Sequence, residues 1–153
     1  MDQSITLNAL FLPGAATQLS FYKRLGYAAS SQVARAQVSA DGGRSWQDLW
    51  SQAGNGGFES GFAPVTVSLT AYAGRVVQLR FLYDYIGGSF YPQTTAGVGL
   101  YLDNIAVSNA ECLLNLATAS IAGTSFSFTP TVVTNYLLRV RAQINSRTLD
   151  WGP

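Results

Sequence analysis

The chain has 153 residues, enough for one domain with a core, and carries nine basic and eight acidic residues for a net charge of +1. Its charged fraction of 11% lies well below the roughly 25% of an average soluble domain, a composition common in secreted β-rich proteins. Apart from Lys23-Arg24 and Arg139/Arg141 the basic residues are scattered, which speaks against nucleic-acid binding.

There is no histidine, which removes the commonest general base, the usual zinc ligand and any Ser-His-Asp triad. The single cysteine, Cys112, allows no intrachain disulfide and is expected to be a small buried hydrophobe among Leu113, Leu114 and Leu116. No run of 18 apolar residues is present, so no membrane insertion is expected. "MDQSITLNALFLPGAA" lacks the basic start of a signal peptide. Both ends read as those of a piece of a longer exported protein.

In chain order, alternation dominates. "SITLNALF" puts Ile5, Leu7, Ala9 and Phe11 on one face. "QLSFYKRLGY" does the same for Leu19, Phe21 and Leu25, with Lys23 as an exception. Ala34, Ala36, Val38 and Ala40 oppose Val33, Arg35, Gln37 and Ser39; Val65, Val67 and Leu69 share a face. Val77, Leu79, Phe81, Tyr83 and Tyr85 form the strongest period-two set, and Tyr136, Leu138, Val140 and Ala142 the last. Such runs are half-buried strands. Pro13-Gly14, Asp41-Gly42-Gly43, Gly54-Asn55-Gly56-Gly57, Gly87-Gly88, Gly123 and Asn145-Ser146 separate them as turns. "SLTAYAG" has room for a short helical turn, and residues 109–119 read as either a helical turn or a bulged strand. Together these features predict an all-β antiparallel sandwich or barrel. Residues 1–110 form its body, and residues 111–153 supply strands that pack on it or start an appended sheet.

Three motifs follow in order: Ser39, Asp41, Gly42, Gly43 and Trp46; then Leu69, Tyr72, Ala73, Gly74, Leu79, Arg80, Phe81 and Tyr83; then Gly99, Tyr101, Asp103 and Ile105. Over residues 18–108 the chain resembles the MAM-like and galactose-binding-like jelly-roll accessory modules of secreted bacterial proteins, including those attached to immune-inhibitor-A-type metallopeptidases. The resemblance implies a jelly-roll sandwich and a non-catalytic module that binds glycans or other surface ligands, or supports a neighbouring domain. In related jelly rolls an Asp pair on the last strand often helps hold a structural calcium. Here Asn104 stands where the second Asp would be.

Two carboxylates are candidate calcium ligands, Asp103 and Asp41. Asp103 lies between Leu102 and Asn104 near the end of an apolar strand and needs a partner, for which a backbone donor or Arg80 is one choice and an ion another. Asp41 begins an Asp-Gly-Gly turn, where its carboxylate suits backbone N–H groups better than a metal that needs six to eight oxygens. Trp46 then starts the return strand and is expected to pack inward.

The loop around Gly87-Gly88 gathers Tyr85, Phe90 and Tyr91, with Asp84 and Gln93 as polar partners. Aromatic faces with amides and carboxylates suit a glycan or cell-surface polysaccharide. The same aromatics also suit covering an open end of the core. Trp50 fits either role, and Trp151 reads as terminal packing. No carboxylate pair has an evident glycosidase arrangement, Asp84 with Asp103 being the nearest, so no enzyme is expected. The predicted activity is carbohydrate binding, extracellular or at the cell surface. The alternatives are support of a neighbouring domain, or protein–protein adhesion through a sheet face.

Overall fold

In the computed structural model, residues 2–87 and 97–113 are described, together with positions 127, 129, 140, 143, 144, 147 and 148. The strands are β1 (Gln3–Leu25), β2 (Gln32–Ser39), β3 (Gln47–Ala53), β4 (Ala63–Ser68), β5 (Val77–Tyr85), β6 (Leu100–Leu113), β7 (Gln143–Ile144) and β8 (Arg147–Thr148). A 3-10 turn, Thr70–Tyr72, falls inside "SLTAYAG". The protein is all-β and antiparallel, and its main sheet curls into a half-barrel.

The spine of that sheet is β1, which takes in both of the first two alternating runs. Its first half pairs with β5, from Gln3↔Tyr83 to Phe11↔Val77. Its second half pairs with β4, from Gln18↔Ser68 to Lys23↔Ala63. β6 runs along its other side from Leu25↔Leu100 to Leu10↔Leu113, so residues 111–113 continue the same sheet. β2 joins β5 and β3, giving the order β3-β2-β5-β1-β4 with β6 on β1. Six strands enter this sheet among the described residues; a jelly roll winds eight. β7 and β8 pair with each other on either side of Asn145-Ser146. "SFSFTP" and the run from Tyr136 to Ala142 lie almost wholly outside the described residues.

The bend that lets β1 serve two neighbours sits at Pro13-Gly14-Ala15-Ala16, where the register with β6 shifts between Pro13 and Gln18. Proline has no N–H to give the ladder, and the polar groups freed there are satisfied by a compact knot. The fully buried Thr17 accepts from Gly14 N–H at 2.8 Å and donates to the Asn109 carbonyl. Asn109, at φ 55°, returns Nδ2 to the Ala16 carbonyl at 3.2 Å. Gly74 N–H closes on the Pro13 carbonyl at 2.9 Å.

The curl buries Leu19, Phe21, Ala36, Val38, Leu69, Val77, Leu79 and Phe81 as one cluster. These are the inward positions of the alternating runs. Phe21 is its centre, edge-on to Phe81 at 4.9 Å and to Trp50 at 5.6 Å between ring centroids. Three expectations fail. Cys112 is exposed; it lies near the end of β6, for which β1 is the one partner strand among the described residues. Ile5 is 64% exposed although it alternates with the core face. Trp46 packs on the outer side of the sheet, under Arg80, rather than in the core.

Candidate functional site

The Asp41 turn is closed by its own donors. Asp41 Oδ1 accepts from Ser39 Oγ at 2.7 Å and from the N–H groups of Arg44 and Ser45 at 3.0 Å each, and Oδ2 accepts from Ser45 Oγ at 2.5 Å. Gly42 and Gly43 take φ of 77° and 91°, a region that favours glycine. Gly43 donates to Ser39 Oγ at 2.8 Å and accepts from Trp46 Nε1 at 3.1 Å. The hydrogen bonds from the Ser45 hydroxyl and N–H, and from Ser39, hold the Asp41 carboxyl well below the usual carboxylate range. A cleft beside the turn, lined in part by Val38, Ser45, Tyr72 and Arg75, holds about 70 Å³. Ligand pockets begin at roughly 300 Å³, so this cleft is too small for a sugar.

The outer face of β3-β2-β5 carries a second polar network. Arg35 Nε donates to Asp84 Oδ2 at 3.0 Å, and its Nη1 ion-pairs with Asp48. Gln37 Nε2 donates to Asp48 Oδ1, and Arg80 Nε donates to Gln37 Oε1, both at 2.7 Å. The Arg80 guanidinium lies 4.2 Å from the centroid of the Trp46 ring. Asp84 is thus committed to Arg35, and Arg80 to Gln37 and Trp46 rather than to Asp103.

Tyr85 is half-buried and its N–H donates to Asp2 Oδ1 at 3.2 Å. Trp50 packs against the core. Asp103 is exposed and accepts from Asn104 N–H at 2.7 Å, with Asn104 at φ 49°. Phe90, Tyr91 and Gln93 lie outside the described residues. The metal candidates sit on separate elements, Asp41 between β2 and β3 and Asp103 on β6. Among the described residues no group of three or more His, Cys, Asp or Glu stands together as a metal set.

A different surface brings aromatic groups together. On the outer face of β4-β1-β6, Tyr22 is opposite Asp103 on one side and Pro64 on the other. Two residues further along β1, Arg24 is opposite Tyr101. Lys23↔Ala63 is the last pair of β1 with β4, which brings Phe62, just before β4, beside Arg24. The Arg24 guanidinium carbon lies 4.2 Å from the centroid of the Tyr101 ring and 5.8 Å from that of Phe62. Tyr22 and Phe62 are 43% and 46% exposed. Arg24 Nε is shielded from water without a hydrogen-bond partner. Sequence reasoning missed this platform by following only the inward half of "FYKRL". The signal was there: alternation that buries Phe21 turns Tyr22 and Arg24 outward together.

A scan against protein-family models and a search of curated proteins find no match to the chain. No helix among the described residues is long and apolar enough to cross a membrane.

Proposed function

We propose that the chain is a non-catalytic accessory module of a larger exported bacterial protein and that it binds carbohydrate. The observation that carries this reading is the Tyr22–Arg24–Phe62–Tyr101 platform, half-exposed rings on a sheet face with a cation between two of them and Asp103 at its side. Sugars present apolar C–H faces that stack on such rings, while their hydroxyls meet charged side chains at the rim. An open platform suits a polymer that runs across it.

A glycan array run with the purified chain tests the reading, once with calcium and once with EGTA. A reproducible hit is expected, lost in Tyr22→Ala with little change in thermal stability. A hit lost in Tyr91→Ala but kept in Tyr22→Ala would move the site to the loop. Loss in EGTA would bring Asp103 back as a calcium ligand. A blank array in both conditions would refute carbohydrate binding and favour a supporting domain.

A further inference from the structure

Arg24 is unlike the other arginines whose partners are seen on this sheet. Arg35 is held by two carboxylates, and Arg80 by Gln37 and Trp46. Arg24 makes no hydrogen bond or ion pair with any described residue, and its Nε is shielded with no acceptor. What holds it is the pair of rings, Tyr101 and Phe62. The nearest carboxylate in register is that of Asp103, which stands opposite Tyr22, one step diagonally away, and accepts from Asn104 N–H instead. The guanidinium is therefore oriented and charged, and its Nη donors are uncommitted.

We infer that Arg24 recognises the carboxylate of an acidic sugar, so that the ligand class is a uronate-bearing glycan; this rests on the carbohydrate-binding reading. The fork of an arginine matches a carboxylate with two parallel N–H···O bonds. Because the rings already fix the side chain, little rotamer entropy remains to be lost on binding. Tyr22 stands two residues along the same face, about 7 Å away at strand spacing. That spacing lets one sugar stack on Tyr22 while its carboxylate, or that of the next residue, meets Arg24. The rest of the surface favours a ligand with no more than one negative charge per sugar. The net charge is only +1 and Asp103 borders the platform, so a dense polyanion would find one cation beside a like charge.

The test is binding of the full chain to polygalacturonate, alginate and hyaluronan. The controls are the same polymers after carboxyl reduction, dextran sulfate and a neutral polymer. At least one polyuronate is expected to bind, and its carboxyl-reduced form at least about tenfold more weakly, as loss of a charge-assisted hydrogen-bond pair implies. Arg24→Gln and Arg24→Lys are both expected to lose about tenfold, the lysine because an ammonium cannot present the fork. Far-UV circular dichroism checks their folding; if either variant is unfolded, the carboxyl-reduced comparison on the wild-type chain still decides. Equal binding of reduced and native polymer would overturn the inference, as would undiminished binding by a folded Arg24→Gln or equally tight binding of dextran sulfate. Neutral glycans bound with all polyuronates blank would overturn the acidic ligand and keep the carbohydrate module. Silence on every glycan would overturn both.

Discussion

Replacing Glu59 by Gln probes the polar junction that holds the end of β1 against β3. Lys23 points inward between Phe21 and Leu25 and is only 8% exposed. Its Nζ donates to Gln52 Oε1 at 2.6 Å and ion-pairs with Glu59. Glu59 Oε2 takes the Leu25 N–H at 2.6 Å, and Gln52 Nε2 donates to Oε1 at 3.0 Å. Glu59→Gln keeps the size and one acceptor but leaves a buried ammonium without its countercharge. Breaking a fully buried pair in this way costs about 3–5 kcal/mol. The Glu59 side chain is 30% exposed, so water recovers part of that and the expected loss is about 2 kcal/mol. For a chain of this length that is a fall in Tm of about 8 °C. Lys23→Met with Glu59→Gln should recover much of the loss, because the charge that needed a partner is gone. Urea unfolding followed by tryptophan fluorescence gives the full double-mutant cycle. The pH dependence follows from the same contacts. Burial pushes the Glu59 carboxyl up, but hydrogen bonds from Lys23, Leu25 N–H and Gln52, with the Lys23 charge, outweigh it and leave it below 4.5. A carboxylate lowered on folding contributes stability that is present above its unfolded value and is lost as pH falls through the folded one. The gap between wild type and Glu59→Gln should therefore be full at pH 7 and close below about pH 4.5. A loss under about 0.5 kcal/mol at pH 7, or a gap that does not change with pH, would show that Lys23 is solvated and the reasoning wrong.

Phe21→Ala empties the centre of the core and should cost about 3–5 kcal/mol, read as a fall in the urea midpoint at unchanged slope; a cost under about 1 kcal/mol would mean that the curled sheet is not closed around Phe21. Asp41→Ala removes the acceptor for all four donors of its turn and should lower Tm and shift the fluorescence of Trp46. Asp41→Asn, which keeps one acceptor oxygen, should do less, and equal effects from the two would refute the view that an acceptor at this position holds the turn and would leave the carboxylate charge as what matters.

What could be read from the chain alone followed from the range of the interactions. The Asp41 turn was legible because every donor to its carboxylate lies within four residues. The inward faces of β2 and β5 were legible because one buried layer imposes period two on each strand. The bend of β1 was not. Pro13-Gly14 has the chemistry of a chain reversal, and long-range bonds, among them that from Thr17 to Asn109, spanning 92 residues, turn it into a corner inside one strand. Lys23 stood out as an exception in its run, but its answer, Glu59, lies 36 residues away in a segment with no strand pattern. The platform failed for a related reason. Tyr22, Phe62 and Tyr101 belong to three separate stretches, and nothing local says that Arg24 stands between the last two. Their meeting is a consequence of register, which the core face determines: once Leu19, Phe21 and Leu25 are buried, a one-residue slip is forbidden and the outer residues must align as they do. Aromatic clusters dense in sequence therefore drew the reading to residues 85–91, while the cluster on β4-β1-β6 existed only in three dimensions. Surface sites on sheets are best sought by applying the core's register to the opposite face.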